Sequence, residues 1–259
     1  MKIKNNIPNF LTLMNLLCGC IAISMEFQGR YFIVVVLIFI AALFDFADGL
    51  AARLLNAKSN IGKDLDSLSD LVSFGVLPGF ILYRMISNSA NLPEIYIQNI
   101  NIIPFTAFLI PLMSALRLAK FNNDSRQSNY FLGLATPANT LFIASLSMIL
   151  LNTPNQIDNS FYSLFLTLLT DYKALVITTI ALSAMLIIPL PLISLKFQNS
   201  SKKDNVARII FLGISLILII LFKWTSAPFL LTAYILVSLI FKPNRSEKNQ
   251  VRYFLFNTI

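Results

Sequence analysis

Four aspartates, Asp45, Asp48, Asp66 and Asp70, lie in or against runs otherwise apolar enough to cross a bilayer. A carboxylate at bilayer depth costs roughly 2.5–3.5 kcal/mol on insertion scales, so four together need a compensating partner. No Lys or Arg run is interleaved closely enough to neutralise them all. Their spacing is helical. Asp45 and Asp48 are three apart and share a face with Gly49 and Ala52; Asp66 and Asp70 are four apart and share one with Gly62 and Ser73. The connection over 54–61 is short and polar, with Asn56, Lys58, Ser59 and Asn60, which predicts an antiparallel helical hairpin. Its two small-residue faces can pack closely, so that the carboxylates converge near one end. Oxygen-only ligands of this kind suit Mg²⁺ or Mn²⁺.

Composition agrees with a membrane setting. Of 259 residues, 56% are hydrophobic and only 12% charged, which places the chain among polytopic all-α membrane proteins. The net charge of +8 is scattered through short loops, so it reads as an orientation signal and not as a nucleic-acid surface. The absence of histidine excludes Ser-His triads, His-metal sites and phosphohistidine chemistry. Cys18 and Cys20 are two apart in an apolar run and point to different faces of a helix, so they read as packing residues.

Along the chain, Lys2 and Lys4 precede an apolar stretch at 10–25, and a second apolar run follows at once. This predicts a first membrane helix and not a cleaved signal peptide, with Pro8 and Asn9 as its start. Seven further helices are expected near 31–54, 63–86, 102–118, 132–151, 173–195, 207–222 and 227–241. Pro189 and Pro191 are expected to kink the sixth helix. The stretch 87–101 is polar, the apolar middle of 153–172 suits an interfacial position, and the basic tail after Lys242 reads as a solvated end. Eight crossings put sixteen of the twenty basic residues on one side and leave Arg30, Arg84, Lys173 and Lys223 on the other. The positive-inside rule then predicts a multi-pass protein of the cell (cytoplasmic) membrane, with both termini and the carboxylate end in the cytoplasm.

The pattern D-x2-D-G-x2-A-R-x8-G-x3-D-x3-D resembles the CDP-alcohol phosphotransferase signature at every fixed position. Those positions are Asp45, Asp48, Gly49, Ala52, Arg53, Gly62, Asp66 and Asp70. The resemblance implies a six-helix catalytic core followed by two C-terminal helices. It places the catalytic helices within 1–140; composition and the apolar runs extend this to one integral membrane domain over 1–259, with additional membrane helices over 173–241. It implies two divalent ions, Mg²⁺ or Mn²⁺, on Asp45, Asp48, Asp66 and Asp70. Asp70 would take the proton from the attacking hydroxyl. Gly49 would let the nucleotide lipid CDP-diacylglycerol approach the helix, and Arg53 would pair a phosphate oxygen. Ser59 and Gly62 are carried over as further contacts of that lipid. Asn9 and Thr12 have two readings, a helix-start signal or a first-helix segment reaching the same lipid. A homodimer is also implied by the family.

Within the family, the stretch from Asp66 to Pro78 resembles the membrane-type phosphatidylserine synthases, as do 7–15, 115–122 and 131–138. The resemblance covers roughly the first 140 residues. Two positions depart from it: Lys120 stands where Arg is usual, and Ala135 where Pro is usual. The implied reaction is attack of the L-serine hydroxyl on CDP-diacylglycerol, with CMP leaving and phosphatidylserine remaining in the bilayer lipid. Ser73, Arg117 and Lys120 are candidate acceptor or phosphate contacts, the last two equally readable as membrane anchors. The alternatives are a sister transferase using glycerol 3-phosphate or an inositol compound, and an ion or proton transporter.

Overall fold

The computed structural model describes residues 3–57, 60–123, 133–151, 166–188, 202–222 and 226–241. Among them the architecture is all-α, apart from one small hairpin. Helix α1 spans Ile3–Phe27, α2 Tyr31–Leu54 and α3 Asn60–Leu71. A π-helical turn, Val72–Val76, joins α3 to α4, Leu77–Ser87, as one helical rod. A 3₁₀ turn, Ile103–Phe108, leads into α5, Leu109–Asn123. Then come α6, Thr136–Leu151, α7, Tyr172–Ile187, α8, Lys202–Phe222, and α9, Ala227–Ile240. Four of the helical rods are long and apolar enough to cross a membrane, and four shorter apolar helices accompany them among the described residues. The 24 residues of α2 are about 36 Å long at 1.5 Å per residue, enough for a hydrocarbon core of about 30 Å. The expected polytopic helical architecture is what the chain forms.

Several expected boundaries move, each for a local reason. The first helix does not start at Pro8 and Asn9 but at Ile3, with Pro8 inside it. Proline keeps a helical φ and costs one backbone bond near a helix start, so it does not stop the helix there. The third expected helix is not uniform, because the π-turn interrupts it. The fourth begins as 3₁₀ and runs to Asn123 instead of ending near 118. Lys120 and Asn122 lie past the expected end, yet neither breaks a helix, and a basic residue in the last turn, Lys120, suits the helix dipole. The sixth ends at Ile187, and Ile188 is extended, as the residue before Pro189 prefers. The expected kink at Pro189 and Pro191 lies outside the described residues. Within the polar stretch, Tyr96–Ile97 and Ile100–Asn101 pair antiparallel. Gln98 and Asn99 close this hairpin, both at positive φ, as a tight two-residue turn requires.

The chain forms two compact units, one of residues 1–128 and 133–190, the other of 129–132 and 191–259. In the first, Phe74, Ile81, Leu82, Ile86, Ile110, Ile143 and Leu175 are fully enclosed. The rod from α3 to α4 is its axis: α1, the 3₁₀ turn, α5 and α6 all pack against it. Gly133, at φ +80°, begins the approach to α6 with its α-carbon pressed against α7; a β-carbon there would lie 2.9 Å from the Leu186 carbonyl oxygen. In the second unit, α8 and α9 pack around Ala207 and Val237, with the Phe211 and Tyr234 rings edge to face at 5.5 Å.

Candidate metal centre

The last third of α2 and the whole of α3 bring three carboxylates together. One oxygen each of Asp45, Asp48 and Asp66 lies within 4.8 Å of the others. Asp48 is buried and accepts a hydrogen bond from Thr12 Oγ1 at 2.6 Å, the same Oγ1 lying 3.0 Å from the Pro8 carbonyl. Asp70 is buried next to this group, its Oδ1 accepting from Asn15 Nδ2 at 3.1 Å. Thr12 and Asn15 are three apart on α1 and so share a face.

The carboxylates meet differently from the expected close-packed hairpin. α1, not the α2–α3 contact, joins the two halves, packing against both. The small and polar face of α1 bridges the two carboxylate faces, Thr12 bonding to Asp48 and Asn15 to Asp70. That face continues to Gly19, where an added β-carbon would strike Ser73 Oγ and come within 3.0 Å of Ser73 Cα. Ser73 Oγ in turn donates to the Asn15 carbonyl at 3.0 Å.

Three oxygen donors in such proximity fit a hard divalent cation. A second observation points the same way: Asp66 Oδ1 is buried with no hydrogen-bond partner. A buried carboxylate oxygen without a donor is costly, and a cation is the partner that removes the cost.

The other expected site residues fall as follows. Gly49 follows Asp48 on α2, and nothing lies within 4 Å of where its β-carbon would be. Arg53 is exposed one turn further on, and Gly62 is half-buried at the start of α3. Asn9 is half-buried one turn before Thr12. Ser59 lies outside the described residues. Arg117 on α5 is within electrostatic reach of Asp70, and its Nε is buried without a hydrogen-bond partner. Lys120 is half-buried one turn beyond Arg117. Ser73 is brought to the site, but its hydroxyl is committed to α1.

Three contributors are not given a role by sequence reasoning. Asn15 is one; its signal is the three-residue step from Thr12. Ser67 and Asn122 are the others: Asn122 Nδ2 donates to Ser67 Oγ at 2.7 Å, and Lys63 Nζ donates to the Asn122 carbonyl. These bonds tie α3 to the end of α5. No local pattern links residues 55 apart.

Three carboxylates of α2 and α3 that together could hold a divalent cation, set in an apolar helical bundle, define an integral membrane protein with a candidate metal site. The family model for CDP-alcohol phosphatidyltransferase matches residues 5–185, and the chain belongs to that family. The CDP-diacylglycerol–serine O-phosphatidyltransferase of Bacillus subtilis (strain 168) is 37% identical over 133 residues, which are 51% of this chain and 70% of the relative. The archaetidylserine synthase of Methanothermobacter thermautotrophicus is 35% identical over 141 residues, 54% of this chain and 56% of the relative. The CDP-diacylglycerol–serine O-phosphatidyltransferase of Helicobacter pylori is 26% identical over 250 residues, 92% of this chain and 96% of the relative.

Proposed function

We propose that this chain transfers the phosphatidyl group of CDP-diacylglycerol to the hydroxyl of L-serine, releasing CMP and leaving phosphatidylserine in the membrane. The observation that carries the reading is the convergence of Asp45, Asp48 and Asp66 beside Asp70 and Arg117. The names of the relatives agree with it.

In this reading Asp45, Asp48, Asp66 and Asp70 hold two divalent cations, Mg²⁺ or Mn²⁺. Such ions supply charge neutralisation of the pyrophosphate and its leaving group. Asp70 accepts the proton of the serine hydroxyl as its oxygen bonds to the lipid-side phosphorus and the bond to CMP breaks. Thr12 and Asn15 hold Asp48 and Asp70 in place, which matters because phosphoryl-type transfer is mostly positioning and electrostatics. The nucleotide lipid lies against Asn9, Thr12, Gly49, Arg53, Ser59 and Gly62. The open space at Gly49 supports a close approach of the lipid to α2. Arg117 receives the serine carboxylate; its buried Nε without a partner supports that role. Lys120 adds positive charge one turn further on. Ser73 shapes this side of the site while bonded to α1. The protein lies in the cytoplasmic membrane with its termini and site on the cytoplasmic side, and works as a homodimer.

The test is CMP release by purified protein in detergent, with CDP-diacylglycerol and Mg²⁺ or Mn²⁺, and with L-serine, glycerol 3-phosphate or inositol phosphate in turn. Release only with serine is the expected result. Release with another alcohol moves the chain to a sister activity in the family. No release by folded protein with any alcohol overturns the reading.

A further inference from the structure

The π-turn between α3 and α4 has a cause and a consequence. In an uninterrupted α-helix the carbonyl of Phe74 would accept from the backbone N–H of residue 78, but Pro78 has none. Over Val72–Val76 the helix loosens to the wider pattern, with the N–H of Leu77 reaching back to the Val72 carbonyl. Phe74 is fully buried, so its carbonyl needs a donor from elsewhere. Thr140, also fully buried, supplies it from α6: its Oγ1 is 2.9 Å from the Phe74 oxygen. The same Oγ1 lies 3.0 Å from the Thr136 carbonyl, so its one proton is divided between a bond inside α6 and a bond across to the turn.

The turn is fixed on its other side as well. Ser73 donates to the Asn15 carbonyl, and the Asn15 side chain donates to Asp70. Gly75 presses on α5, where an added β-carbon would lie 3.0 Å from Ser114 Cβ. A π-turn advances the helix by an additional residue, so it sets the rotation of Asp66 and Asp70 relative to the faces of α4. A continuous chain of bonds thus runs from α6 through the Phe74 carbonyl and Ser73 to Asn15 and Asp70.

We propose that Thr140 is a positioning residue for the transfer reaction. By donating to the Phe74 carbonyl it holds the π-turn in the register that seats Ser73 and Asp70 on Asn15. The proposal rests on the reading of Asp70 as the carboxylate that takes the serine proton.

The experiment compares wild type with Thr140→Val, Thr140→Ser and Asp70→Asn in serine-dependent CMP release, with thermal unfolding in detergent measured on each. Thr140→Val keeps the shape and removes the hydroxyl. Its kcat is expected to fall about tenfold with both KM values within about twofold, the signature of misplaced reacting groups and not of lost binding. Thr140→Ser restores the hydroxyl and is expected to recover most of the loss at unchanged unfolding temperature. A kcat within about twofold of wild type for Thr140→Val, while Asp70→Asn is inactive, overturns the role of Thr140 and leaves the reaction intact. An active Asp70→Asn overturns the reading of Asp70 instead. If Thr140→Val does not fold, Ser73→Ala cuts the same chain of bonds nearer to Asp70. An unchanged kcat there overturns the proposal, and a fall of about tenfold at constant KM supports it.

Discussion

The two ends of the first unit treat buried charge in opposite ways. At the far end of α1, Glu26 is buried and faces Arg84 of α4 at 2.5 Å. The same guanidinium donates to Ser147 of α6 at 2.6 Å and stacks over the Tyr31 ring at 3.9 Å. Four helices meet there around one acid and one base, each supplied with partners. Eleven to fourteen residues earlier on α1, about 17–21 Å away along the axis, Asn15 and Thr12 reach Asp70 and Asp48 in a group of carboxylates. Charge inside a membrane is costly at both ends. Where the protein contains both signs, the charges hold helices together. Where carboxylates gather, as at Asp45, Asp48 and Asp66, their oxygens offer a place for a cation to supply the balance.

The sharpest break of this comparison is Asp45→Asn with Asp66→Asn. Serine-dependent CMP release should fall by about 10³-fold, the scale of losing electrostatic stabilisation of a transition state. The unfolding temperature without added metal should stay level or rise, because two mutually repelling acids are gone. A fall in stability would show that these acids also serve the fold. Next comes Arg84→Met, which leaves Glu26 buried and uncompensated. Thermal or chemical unfolding in detergent should show a loss of about 3–5 kcal/mol, recovered in large part by adding Glu26→Leu, with the KM for CDP-diacylglycerol unchanged. Failure of the second substitution to recover stability would mean that Arg84 matters for more than charge balance. The smallest effect is expected from Thr12→Val, which removes a donor to a proposed metal-holding carboxylate. The Mn²⁺ concentration for half-maximal activity should rise about 10–100-fold, read from metal titrations of CMP release. An unchanged titration would separate the Thr12 hydroxyl from metal binding.

Much of this was legible in the sequence, because membrane helices and the Asp pattern are local signals. The apolar runs located eight apolar helical segments among the described residues, and α2 was bounded at Tyr31 and Leu54 by its own hydropathy. The spacing of Asp45, Asp48 and Asp66 anticipated their meeting. What the residues did not disclose were pairings between distant segments. Glu26 and Arg84 are 58 apart, as are Ser73 and Asn15, and nothing in either neighbourhood names the other. The role of α1 as the bridge was hidden for the same reason. The π-turn lay between these cases: Pro78 shows that the Phe74 carbonyl loses its donor, but which helix replaces it depends on packing. The start of α1 at Ile3 was missed because Pro8 was read as punctuation when it is an ordinary passenger of an early helical turn.

The two bonds from α1 have a mechanical meaning. A cylinder touching its surroundings at one point can roll; one held at two points on the same side, a turn apart, cannot. Thr12 fastens α1 to α2, and Asn15 fastens it to α3. Successive residues of a helix are about 100° apart, so a roll by even a fraction of that step would release both. The first helix, which contributes no acid to the centre, is therefore the axle on which the relative placement of the two acidic helices is gauged.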